Sequence, residues 1–359
     1  MPAARTGIAN LPLHYGKAPR WLFERMVKLA REITIVTIEE YGPEEMLRRL
    51  SHPYWFQAFG CVLGFDWHSS GVTTTLCGAV KEGVKGIERD LGLFVAGGKG
   101  AASRKTPAEV EKWGELISLD PAPLVYASRM SAKVDSAAVQ DGYQLYHHNF
   151  FFTAKGSWAV VQQGMNETTR YARRYHWLSE SVASFVNEPH SAVASDARGQ
   201  ALNLVAAESD PARTTITEIA TGEKPENIMA ELNRIKTLSL PAHHYLGVED
   251  LHPDSLKKII LSAYERQPED FETLLGLPGV GAKTIRALSL ISELVHGVAP
   301  SYRDPVRYSF AHGGKDGIPY PVDRKTYDQS IQLLRKAISK TRLGLKDKQE
   351  AEGRLLRLQ

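Results

Sequence analysis

One stretch, LLGLPGVGAKTIRAL at residues 274 to 288, limits what this chain can be more than any other. It closes one helical pattern, turns on Gly279 and Gly281, and opens a second amphipathic helix. Both glycines are read as taking backbone angles closed to residues with a side chain, which turns the chain tightly and aims its amides one way. The amides that open the following helix also lack partners, and the helix dipole adds partial positive charge there. A phosphate oxygen is their natural ligand. Leu277, Gly279, Val280, Gly281 and Thr284 are therefore the expected contacts to a nucleic-acid backbone. A helix connection that binds nothing is the plainer alternative for an isolated GxG, but helical patterning on both sides of the full LPGVGxKT favours the backbone grip.

Lys283 falls in the first turn of the second helix, a poor place for a cation. That position is expected to lower its pKa and favour the nucleophilic amine. Such an amine, held beside a DNA backbone, can attack the anomeric carbon of a nucleotide, expel the base and leave a Schiff base on the sugar, after which β-elimination cuts the strand. A lysine that only reaches a phosphate fits the same position. Further along, PYPVDRKTYDQSI places Asp323 after a short extended piece and at a helix start, where it caps the helix. A carboxylate fixed there can also stabilise a cationic sugar and accept the proton of the attacking amine.

These two motifs resemble the helix-hairpin-helix superfamily of DNA glycosylases. The resemblance covers the carboxyl-terminal part of the chain and implies Lys283 as the Schiff-base lysine and Asp323 as the essential aspartate. Two departures stand out. The sequence GVAPSYRDPVRYSFAHGGKDGIPYP lengthens the interval between the two residues, which keeps Asp304 and Asp316 as alternative carboxylates, and Arg324-Lys325 replaces the usual Thr-His after the aspartate. No cysteine cluster follows, so no iron-sulfur cluster is implied. The whole chain, including WFQAFGCVLGFDWHSSGVTTT and VQDGYQLYHHNFFF, also resembles a prokaryotic family known only as domain-of-unknown-function family 763, a name that supplies no chemistry.

A chain of 359 residues with 43% apolar content suffices for two cores. Cys61 and Cys77 are too few for a disulfide scaffold or a cysteine metal site and read as small core residues of a reducing compartment. No apolar run of about 18 residues or more is present, and no secretory pattern opens the chain, so a cytoplasmic protein without a membrane partner is expected. The net charge of +3 is unevenly spread: residues 301 to 359 hold 13 Lys and Arg against 7 acids, residues 201 to 300 hold 9 against 14. A basic tail of this kind suits an anionic partner.

Local signals give an α+β fold: a mixed domain at 1–205, then an all-helical helix-hairpin-helix domain at 206–359. Residues 21 to 50 read as two helices broken at Gly42-Pro43. The run at 91 to 110 reads as a strand, a Gly/Lys/Arg loop and a helix with proline in its first turn. Residues 144 to 164 form a hairpin about Ala154-Lys155-Gly156. Between residues 64 and 80 strand and buried helix cannot be told apart. In the second half PENIMAELNRIKTL, HPDSLKKIILSAYERQ, PEDFETLLGL, AKTIRALSLISELVHG and DRKTYDQSIQLLRKAISKT are helices.

Other stretches carry weaker readings. TRYARRYHW interleaves Arg170, Arg173 and Arg174 with aromatic residues, as a second DNA contact or a solvated basic helix face would. The loop GGKGAASRK is not a Walker A sequence, yet Lys99, Arg104 or Lys105 could meet a phosphate. In FDWHSS, Asp66, His68, Ser69 and Ser70 lie too close in sequence for an ordinary hydrolase triad. His147-His148 on a strand point to opposite faces, which disfavours a shared metal; His243-His244 are core or surface residues by default. A flipped base would want aromatic residues, with Tyr302, Tyr308, Phe310, Tyr320 and Trp177 as candidates.

The expectation is a monomeric, metal-independent DNA glycosylase with lyase activity, needing no cofactor and acting on an oxidised or deaminated base, a pyrimidine by weak preference. A Mg²⁺-dependent endonuclease and a non-catalytic DNA-binding protein are its competitors.

Overall fold

The structure is a computed structural model and describes residues 18–65, 70–195, 198–238, 253–306 and 324–356. The chain opens with helices α1 (Arg20–Tyr41), α2 (Pro43–Ser51), α3 (Pro53–Leu63), α4 (Gly71–Val84) and the short α5 (Glu88–Leu91). Strand β1 (Leu93–Lys99) leads into α6 (Thr106–Ile117) and α7 (Ala122–Lys133), and a π-turn at Val134–Ala138 runs on into β2 (Val139–Gln140). Next come β3 (Gln144–Thr153), β4 (Trp158–Asn166), β5 (Tyr171–Leu178), β6 (Ala192–Ala194) and β7 (Gln200–Asn203). The remainder is α8 (Asp210–Gly222), α9 (Pro225–Ile235), α10 (Pro253–Arg266), α11 (Phe271–Gly276), α12 (Ala282–Leu294), β8 (Ser301–Arg303), α13 (Arg324–Lys340) and α14 (Leu345–Leu356).

Strands β1-β3-β4-β5-β6 form one antiparallel sheet, and β2-β7-β8 form a second. The larger sheet is covered on both faces, which explains why β3 ends in an unbroken Phe150-Phe151-Phe152 run instead of alternating apolar with polar. Phe150 and Phe152 enter a core with Trp177, Leu274, Ile285 and Leu288, while Phe151 enters another with Met26, Trp55, Phe59 and Val161. Each phenylalanine is fully buried and contributes about 1.5–3 kcal/mol.

The break at Gly42-Pro43, the strand at residue 93, the helix with Pro107 in its first turn and the hairpin about Lys155 all stand where the residues place them. The ambiguous run at 64 to 80 resolves, from Gly71, into α4. The α+β class stands, but residues 206–359 are not all helical: β8 pairs with β7, which tethers the second half to the smaller sheet. Both cores cross residue 205. Leu333, Leu334, Ala337, Ile338, Ala351 and Leu355 pack with α1 to α4, and Leu274 to Ile291 share a core with Phe94 and Val134. Cys61 and Cys77 are free and buried, and burial pushes the Cys77 thiol up. Among the described residues no helix is long and apolar enough to cross a membrane.

Candidate nucleic-acid interface

The hairpin begins with Asp270, whose carboxylate accepts the Thr273 amide at 2.7 Å and starts α11. Six residues later α11 ends at Gly276, and Leu277 to Gly281 carry the chain into α12. Gly279 has φ +86°, and a Cβ built on it would sit 3.3 Å from Ile259 Cγ1. The positive φ favours glycine there, and a side chain would also press on Ile259. Gly281 differs from the sequence reading: its φ of −146° is extended backbone open to any residue, and a Cβ would meet nothing nearer than Gly279 O at 3.9 Å. Folding needs the first glycine and not the second. Gly279→Ala is expected to cost about 1–2 kcal/mol in urea unfolding and Gly281→Ala close to nothing, an ordering that equal losses would refute.

The amides of Gly279, Gly281, Ala282, Lys283 and Thr284 donate to no acceptor among the described residues. The N-cap Gly281 has no side chain with which to satisfy them. These donors lie at the positive end of a 13-residue helix, a place suited to an anion. Leu277 is half-buried, and Val280 and Thr284 are buried and anchor the turn. Lys283 is exposed beside these amides and makes no hydrogen bond among the described residues.

Two side chains hold the turn from beneath. Lys133 Nζ donates to Leu277 O at 3.2 Å and also to Val280 O, and burial pulls this amine below the ordinary lysine range. Gln140 Nε2 donates to Ala282 O at 2.9 Å while its Oε1 accepts Arg286 Nε at 2.7 Å. Both residues flank the π-turn, whose extra residue resets the register between the helix and β2. Lys133 and Gln140 carry no local motif, so the sequence offered no signal for either.

Asp323 and Asp316 lie outside the described residues, as do Asp66, His68, Ser69, His243, His244, Tyr308, Phe310 and Tyr320. Asp304 is described and is already engaged. Its Oδ2 accepts Arg173 Nη2 at 2.8 Å and the Gly199 amide at 2.7 Å, inside the protein.

The same geometry corrects the reading of TRYARRYHW. Residues 171–178 are β5, and Arg173 and Arg174 are buried, so neither guanidinium can reach a nucleic acid. Arg173 spans Asp141 and Asp304 with its face on Tyr143 at 4.4 Å. Arg174 lies over Phe56 at 4.5 Å and donates to Gln57 Oε1 at 3.1 Å. Trp177 is equally buried, with Nε1 donating to Asp135 at 2.9 Å, so it is not a stacking surface for a base. Tyr302 is half-buried and donates to Glu293 at 2.5 Å. Arg170, Lys99, Arg104 and Lys105 are exposed.

His147 and His148 do point to opposite faces of the sheet. His148 bridges Ser128 Oγ at 2.9 Å and Gln162 Oε1 at 2.8 Å, whereas His147 has no hydrogen-bond partner among the described residues. Among the described residues no group of three or more His, Cys, Asp or Glu is placed to hold a metal ion.

A protein-family model described as a protein of unknown function (DUF763) matches residues 7–322. No curated protein and no solved structure matches the chain.

Proposed function

The chain belongs to the family of proteins of unknown function DUF763, a membership that assigns no chemistry, and on that premise we propose that it binds DNA by the 277–284 turn and excises a damaged base with Lys283. The observation that carries this reading is the turn itself: amides without acceptors among the described residues, a glycine at 281 that folding does not require, and an exposed lysine two residues on. A missing side chain at 281 lets a phosphodiester approach the main chain closely. In its unprotonated form Lys283 attacks C1′ of the nucleotide; the glycosidic electron pair leaves with the base, which takes up a proton. Ring opening gives the iminium, loss of the C2′ proton expels the 3′ phosphate, and water releases the lysine. Asp323 is the carboxylate that assists in this reading, with Asp316 as the alternative, and the engagement of Asp304 with Arg173 speaks against that third residue. Lys99 and Arg104 are secondary backbone contacts. The substrate class is an oxidised or deaminated base, and the protein acts as a cytoplasmic monomer without a cofactor.

Borohydride trapping on duplexes that each carry one lesion tests the proposal. The wild-type protein should form a covalent adduct with at least one lesion, EDTA should leave it unchanged, and Lys283→Gln should abolish it while DNA binding persists. An adduct that survives Lys283→Gln assigns the chemistry elsewhere. Strand cutting that EDTA stops and borohydride cannot trap would show a metal-dependent nuclease instead.

A further inference from the structure

A groove of 740 Å³ runs along α7 beside the hairpin, within the size range of ligand clefts (about 300–1,000 Å³). Its wall includes Tyr126, Arg129, Met130, Lys133 and, from the end of α11, Gly276. Lys133 joins groove and hairpin into one rigid piece, since it lines the first and donates to the carbonyls of the second. Arg129 is exposed and has no hydrogen bond or ion pair among the described residues. Tyr126 is 45% exposed, with its ring edge on Phe185 and its hydroxyl fixed to Glu272 at 2.7 Å. It also borders a second depression, formed by Pro123, Trp158, Val182 and Phe185, and so stands as a ridge between two hollows. One acid, Glu111, lines the groove against the two cations.

We propose that this groove carries the continuation of the bound DNA strand, with Arg129 on a phosphate next to the one gripped by the hairpin and Tyr126 as a stacking ridge for an unpaired base. The proposal rests on the hairpin reading and extends it. Three features favour a single strand over a peptide or a small molecule. The groove adjoins the hairpin at Gly276 and Lys133, its charge unengaged among the described residues is the Arg129 guanidinium, and a fixed, half-exposed ring suits stacking without sequence preference. A duplex would present its bases already stacked and would leave that ring unused.

Anisotropy with a short fluorescein-labelled single strand, and with the matching duplex, tests it over a salt series. Arg129→Glu should weaken single-strand binding about tenfold or more and lower the slope of log K against log salt by about one. Tyr126→Phe keeps the ring and should retain affinity, whereas Tyr126→Ala should lose about tenfold on the single strand and less on the duplex. Thermal unfolding of each variant shows that the fold is kept. The groove proposal is overturned if Arg129→Glu binds like the wild type while Gly281→Val does not, an outcome that leaves the hairpin reading intact. Should the wild type bind neither DNA, both fall together.

Discussion

Replacing Arg173 with methionine is expected to destabilise the protein by about 3–5 kcal/mol, because the change strands two carboxylates in the interior. Arg173 is 1% exposed, and it bonds Asp141 at 2.7 Å and Asp304 at 2.8 Å. Burial pushes the Asp141 carboxyl up, and Arg173, the Tyr175 hydroxyl and the Tyr143 amide oppose it. Without the guanidinium, the carboxylates must take up protons or open the structure to water. Asp304 follows β8, Asp141 precedes β3, and Arg173 lies in β5, so the cluster also ties the smaller sheet to the larger one. Urea unfolding measures the loss, and the thermal midpoint should fall by roughly 10 °C. Adding Asp141→Asn and Asp304→Asn to Arg173→Met should recover part of it, since no unpaired charge then remains. A loss below about 1 kcal/mol would show that water reaches these carboxylates. DNA affinity, measured where the variant is folded, should not change, which separates this role from the contact that the sequence suggested.

That misreading shows where sequence reasoning stops. The 154–156 turn and the Gly42-Pro43 break are local: each acts within a few residues, and each stands where the sequence puts it. The hairpin at 277–284 is local too, apart from Gly281, whose extended angles no pattern could distinguish from those of Gly279. Arg173 is another matter. Its partners stand 32 and 131 residues away, and an Arg-Tyr strand buried with its counter-ions has the same composition as a basic surface. Lys133 holds the hairpin across 144 and 147 residues. The packing of α13 and α14 onto α1 and α3 is equally remote, and the change of texture near residue 206 gives no sign of it.

Mild acid is expected to weaken the fold through three buried imidazoles. Burial pushes His147 down to about 3, with His148 and Lys99 adding to the effect; it pushes His148 to about 4 against the Gln162 hydrogen bond; and it takes His176, beside Arg174, well below the ordinary range. In the unfolded chain each imidazole binds its proton near pH 6.5, while in the folded protein it does not. Stability is therefore complete above about pH 6.5 and declines as pH falls towards the folded values, since the unfolded state binds more protons throughout that window. At about pH 5 His147 and His148 each cost about 2 kcal/mol and His176 adds to them in the same direction, a large share of an ordinary domain's stability. Glu180, which Arg48 holds below the ordinary range, weakens the fold only at lower pH, and Asp141, whose carboxyl burial pushes up, acts in the opposite sense, so a decline from about pH 6.5 to 5 belongs to histidine. Urea unfolding across that interval should show the decline. His147→Leu should make it shallower, by about 2 kcal/mol at about pH 5, while costing little at neutral pH, because that imidazole gives up no hydrogen bond among the described residues. A stability that stays level from about pH 6.5 to 5 would mean that solvent reaches these rings, and with it the polar interior of the sheet.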